Sequence, residues 1–139
     1  MLAVLGGSGF NSLTQLSGIR KQDINTPYGA PSDSITFGEL EGVRCLFLAR
    51  HGAGHIIPPH QINYRANIWA LREAGASWIF SVATVGGITR GFDPGILAVP
   101  HQLIDYTWGR RQTYFDDGEQ VNHVDFTEPY STGAPKKFM

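Results

Sequence analysis

The chain has 139 residues, 42% of them hydrophobic, with eleven basic and twelve acidic side chains and a formal net charge of −1, which suits one buried core in a single domain. The basic residues are scattered, which excludes the footprint of a nucleic-acid binder and a polybasic membrane patch. The single cysteine, Cys45, excludes a disulfide framework and a cysteine metal site, and without a signal-peptide pattern or a membrane-length apolar run the expected location is the cytoplasm.

Leu2-Ala3-Val4-Leu5 is short and apolar and empties into Gly6-Gly7-Ser8-Gly9, so the pattern predicts a buried strand followed by a glycine turn. Glycines let backbone N–H groups converge on an anion, and Ser8 adds a hydroxyl. Three better-known glycine motifs fail here. A dinucleotide fingerprint needs glycine where Ser12 stands, a P-loop needs a Gly-Lys-Ser/Thr that does not follow, and a nucleophile elbow on Ser8 needs glycine where Phe10 stands. A plain tight turn and an anion cradle both stay open for this segment.

Residues 10–42 read as turns and short strands. Thr26-Pro27-Tyr28-Gly29-Ala30-Pro31-Ser32-Asp33 is a loop by its prolines and glycine, and residues 34–38 alternate as a short strand. The segment 43–50 is apolar on both faces, which marks a buried strand, and it ends in Arg50-His51-Gly52. An unpaired buried guanidinium is very costly, so Arg50 belongs where the strand opens into a crevice, or caps the strand at the surface. In the crevice its rigid fork suits phosphate or carboxylate.

His51, His55 and His60 have the spacing of metal ligands, but Gly52, Gly54 and the Pro58-Pro59 pair prevent the continuous helix that would align them, and no metal is expected. Residues 62–74 turn helical, with Ile62, Ala66, Trp69 and Ala70 on one stripe, Tyr64, Ile68 and Leu71 on the next, and Gly75 placed to stop the helix. Residues 78–83 form a second buried strand that closes at Thr84-Val85-Gly86-Gly87. Strand, helix, strand makes a parallel unit, so Arg50 and the turn at 84–87 fall at the same, carboxyl end of the sheet, where ligands bind in open α/β folds. Further strands are expected at 96–99 and 101–107. Residues 107–112 and 116–119 read as loops, and 131–139 as a frayed tail.

In this order and spacing, the combination resembles the nucleoside phosphorylases, in particular their methylthioadenosine and methylthioinosine branch. The residues that carry it are Gly6-Gly7-Ser8-Gly9, Thr26-Pro27-Tyr28-Gly29-Ala30-Pro31-Ser32, Leu48-Ala49-Arg50-His51-Gly52, Asn63-Tyr64-Arg65-Ala66-Asn67-Ile68-Trp69-Ala70-Leu71, Val85-Gly86-Gly87-Ile88 and His101-Gln102-Leu103-Ile104-Asp105. The likeness runs from about residue 3 to residue 130.

It implies a three-layer α/β/α sandwich with a mixed, partly parallel sheet, incomplete at its C-terminal side, with 1–130 as the N-terminal part of the domain. It implies attack of inorganic phosphate on C1′ of a purine nucleoside through an oxocarbenium-like transition state, so the protein's work is positioning and electrostatics. S-methyl-5'-thioinosine or S-methyl-5'-thioadenosine is the expected substrate and phosphate the co-substrate, with no other cofactor. Carried over by position, Ser8, Arg50, His51 and Thr84 bind phosphate, Val85 and Gly86 lie against substrate, and His123 reaches across the interface of a homotrimer.

Two departures stand out. Ala83 and Thr84 invert the family's usual polar-then-small order before the glycines. Family members are also longer, and the acidic segment with which they recognise the base has no counterpart here, so no catalytic residue is assignable and the chain looks truncated and weakly active or inactive. The alternatives are a non-catalytic phosphate- or nucleotide-binding module and a subunit-contact fragment.

Overall fold

The computed structural model of the chain describes residues 1–7, 15–116, 118 and 121–131. It divides into two units, 1–84 and 85–139.

The first unit is built on a five-stranded mixed sheet: β1 (Leu2–Gly6), β2 (Ser17–Gln22), β3 (Ile35–Leu40), β4 (Val43–Ala49) and β5 (Trp78–Ser81), in the order β2-β3-β4-β1-β5. The two hairpin pairs, β2 with β3 and β3 with β4, are antiparallel. β1 lies between β4 and β5 and is parallel to both. In register, Gly6 stands opposite Ala49 and Leu5 opposite Ser81, so the carboxyl ends of three strands finish level. The turn between β3 and β4 is made by Glu41 and Gly42, both at positive φ.

β4 shows why a run apolar on both sides becomes an inner strand. Leu46 and Leu48 join Ala3, Leu5 and Ile35 against the helix residues Ala70 and Leu71, while Cys45 and Phe47 face the opposite way and pack with Leu16. Successive side chains of a strand point to opposite faces, so one sequence serves two apolar clusters.

The helix α1 (Tyr64–Glu73) covers the first face. Asn63 caps it, its side chain accepting from the Ala66 N–H at 3.1 Å. Gly75 ends it as expected: its φ is +94°, its N–H donates to the Arg72 carbonyl, and the Ala76 N–H donates to the Leu71 carbonyl. The buried stripe is Ala66, Asn67, Ala70 and Leu71, centred between the two stripes read from the sequence, so Trp69 is half-buried and Ile68 is exposed.

Asn67 is the one buried polar residue among those described. Its Oδ1 accepts from the Ser32 N–H at 2.7 Å and its Nδ2 donates to Ser32 Oγ at 2.9 Å. Asn63 donates to the Tyr28 carbonyl at 2.6 Å, and the Tyr28 ring meets Trp69 edge-on and Arg65 face-on. Three helix residues and the residue that caps the helix therefore hold the loop 26–33. An exposed helix face is the commoner place for such polar side chains, and the sequence alone offers no sign of the loop they grip.

Three expectations are corrected here. β5 was expected to be buried, yet Trp78, Ile79 and Phe80 are each more than a third exposed, because β5 is an edge strand with only β1 beside it. The strands expected at 96–99 and 101–107 do not form. The second unit has no helix or strand among its described residues, and Ile96, Leu97, Val99 and Ile104 are exposed with no neighbouring strand to complete a ladder. Its local order comes from turns, in which Asp105 Oδ1 accepts from the Thr107 N–H and Asp125 Oδ1 from the Thr127 N–H. The fold class itself holds: a mixed, partly parallel α/β sheet, with one helical layer among the described elements.

Candidate functional site

The level carboxyl ends of β4, β1 and β5 form the candidate site. The Arg50 N–H continues the ladder by donating to the Gly6 carbonyl at 2.9 Å, and the Val82 N–H does the same to the Leu5 carbonyl at 3.0 Å. From the end of β4 the Arg50 side chain then crosses the end of β1. Its Nη1 donates to the Val82 carbonyl, beyond β5, at 3.3 Å. The guanidinium thus spans three strand ends.

Gly7 lies directly beneath it. A Cβ built on Gly7 would stand 2.6 Å from Arg50 Nη2, well inside contact distance. Gly7 is absent from the positive-φ positions, so glycine is needed here for close approach rather than for an unusual backbone angle. The half-buried Arg50 has one carbonyl contact and no carboxylate partner among the described residues, which leaves most of its five donors for an anion. The contact with the Val82 carbonyl fits both readings open for Arg50, a strand-end cap and a donor fork at an anion site.

His51 begins the next turn. Its Nδ1 lies 2.8 Å from the Ile57 carbonyl oxygen, and the Ile57 N–H donates back to the His51 carbonyl at 2.9 Å, which closes the loop 51–57 on itself. The His51 ring packs on His55 with centroids 4.3 Å apart. Gly52, at φ +73°, is buried where a Cβ would come within 3.0 Å of the Ser32 carbonyl. The same Ser32 is gripped by Asn67, so the loop 26–33 packs against the turn that carries His51. No cluster of three or more metal-ligating side chains occurs among the described residues.

The other sequence candidates divide. Thr84 is exposed, two residues past the Val82 carbonyl that Arg50 contacts, at the end of the first unit. Val85, Gly86 and His123 belong to the second unit and are exposed there. Ser8 and the tail at 132–139 lie outside the described residues. Sequence reasoning overlooked the Val82 and Ile57 carbonyls, which carry no side-chain signal at all. Cys45 is no candidate nucleophile: it is buried, and burial pushes its thiol above the ordinary range.

Comparison with known proteins decides the family. Residues 1–137 match the family model described as the phosphorylase superfamily. The chain belongs to the phosphorylase superfamily.

It is 55% identical over 131 residues to a probable S-methyl-5'-thioinosine phosphorylase of Xanthomonas campestris, a match covering 94% of this chain and 52% of that protein. It is 49% identical over 129 residues to an S-methyl-5'-thioadenosine phosphorylase of Hyperthermus butylicus, covering 93% of this chain and 47% of that one. Among solved structures, the methylthioadenosine phosphorylase of Schistosoma mansoni in complex with tubercidin superposes with a TM-score of 0.85 at 36% identity, covering 93% of this chain and 47% of that chain. The chain therefore spans about half the length of the relatives it matches.

Proposed function

We propose that the protein carries out phosphorolysis of a 5'-methylthio purine nucleoside, S-methyl-5'-thioinosine first and S-methyl-5'-thioadenosine second, releasing the free base and 5-methylthioribose 1-phosphate. The observation that carries this reading is the Arg50 guanidinium laid over Gly7 at the common end of β1, β4 and β5. That arrangement supplies charge-assisted donors for the attacking phosphate at a crevice formed by parallel strands. Arg50, His51, Ser8 and Thr84 are the phosphate-side residues in this reading, and Val85 and Gly86 contact substrate. Inorganic phosphate is the co-substrate, with no other cofactor. The names of the relatives support the methylthio nucleoside as substrate.

The working protein in this reading is a cytoplasmic homotrimer, with His123 directed toward the 5' group of a neighbour's substrate.

The test is phosphate-dependent release of hypoxanthine from S-methyl-5'-thioinosine and of adenine from S-methyl-5'-thioadenosine, run beside a calorimetric titration with phosphate. Product formation supports phosphorolysis. Phosphate binding without product marks a phosphate-binding module instead, and the absence of both overturns the reading of the site.

A further inference from the structure

The turn that carries Arg50 is held from outside its own strand. Arg50 and His51 stand at the two corners of a turn that the Gly52 N–H closes by donating to the Ala49 carbonyl at 3.0 Å. On one side, the Arg50 N–H is tied to the Gly6 carbonyl of β1 at 2.9 Å. On the other, Gly52 is buried against the Ser32 carbonyl, so close that a Cβ would stand 3.0 Å from its oxygen. Ser32 is fixed in turn by the fully buried Asn67, whose Oδ1 accepts from its N–H at 2.7 Å and whose Nδ2 donates to its Oγ at 2.9 Å. The helix that carries Asn67 packs through Ala70 and Leu71 on Leu46 and Leu48 of β4, the strand that ends at Arg50. The contacts make a closed ring of strand, turn, loop, helix and strand again.

We infer that Asn67 is a positioning residue for the anion site: through the Ser32 backbone it sets where the turn at 49–52 holds Arg50. This rests on the proposed phosphate role of Arg50. Asn67 is no ligand itself, because Ser32 engages both ends of its amide. An amide suits the place, since one planar group accepts from a backbone N–H and donates to a hydroxyl. Without it the Ser32 carbonyl is free to move off Gly52, and the turn loses the wall on its outer side. Binding constellations need their geometry held to within about 0.5 Å. Arg50 is exposed to such a shift, because its side chain crosses Gly7 to reach the Val82 carbonyl and depends on where its backbone starts.

The experiment measures phosphate affinity by calorimetry for the 139-residue chain and three variants, each well below its own unfolding transition. Asn67→Ala should bind phosphate about 5-fold more weakly, a usual size for coupling through residues that touch no ligand. Ser32→Ala keeps the N–H bond to Asn67 and the carbonyl against Gly52, and should bind like the unaltered chain. Gly75→Ala strains the helix stop, outside the ring of contacts, and should lower stability without changing phosphate affinity. A merely structural Asn67 would behave as Gly75 does. Coupling between two sites is reciprocal, so phosphate should also slow hydrogen exchange at the Ser32 N–H of the unaltered chain, and more than at the Ala76 N–H of the helix stop. That measurement needs no variant to fold. Unchanged affinity in Asn67→Ala, or equal weakening in Asn67→Ala and Gly75→Ala, overturns this inference and leaves the Arg50 site standing. So does a Ser32→Ala loss that matches Asn67→Ala, or a Ser32 N–H indifferent to phosphate. Failure of phosphate to bind the unaltered chain overturns the reading of the Arg50 site and this inference with it.

Discussion

Arg50 and Gly7 act as one unit, each explaining the other. The guanidinium reaches Val82 only by passing over a residue with no side chain, and a Cβ there would meet Nη2 at 2.6 Å. Gly7→Ala should therefore displace Arg50 and weaken phosphate binding about 10-fold, as loss of one hydrogen bond to a charged group does. The effect should vanish in an Arg50→Ala background, and a double-mutant cycle on phosphate affinity checks this. Independent, additive losses would show that Gly7 serves the turn alone. Arg50→Lys should fail to restore affinity, because a point charge cannot span the three strand ends as a planar fork does.

The loop 26–33 and helix α1 form the next level. Asn67 spends both ends of its amide on Ser32, and Ser32 in turn sits where Gly52 must be free of a side chain. Asn67→Ala leaves a half-buried Ser32 N–H without its acceptor and should lower stability by about 1 kcal/mol, measured by urea unfolding. Gly75→Ala, at φ +94°, should cost about 1–2 kcal/mol by the same measurement, since an L side chain resists that backbone conformation. A change under a few tenths of a kcal/mol in either variant would contradict the structural roles assigned here. The helix stop was legible because Gly75 follows the apolar period directly. The loop anchorage was not, because an Asn on a helix looks the same whether it faces water or the backbone N–H of a loop packed over it.

At the scale of the whole molecule, legibility tracks pairing. β1, β4 and the segment that becomes β5 were readable as strands because each finds a partner, and the common carboxyl end of β4 and β5 followed from the connection through α1, while the parallel place of β1 between them did not. Residues 96–99 carry an equally apolar signal, yet periodicity reports a preference and not the neighbour that must satisfy it. The same lack of covering leaves Trp78, Ile79 and Phe80 exposed on an edge strand, with Leu97, Ile104, Tyr106 and Trp108 exposed in the second unit. Exposed edges and apolar patches favour association. The 139-residue chain should therefore show a concentration-dependent mass in sedimentation and bind a hydrophobic dye. A strictly monomeric, dye-silent chain would contradict that expectation.

The central claim is an anion cradle in which Arg50 is laid across the ends of three strands. Calorimetric titration of inorganic phosphate into the chain and into its Arg50→Ala variant tests it most directly. The account predicts saturable binding to the chain and a loss of about 10- to 100-fold in the variant, the cost of one charged hydrogen-bonding group, with thermal unfolding little changed. Equal phosphate affinity in the two proteins would contradict it.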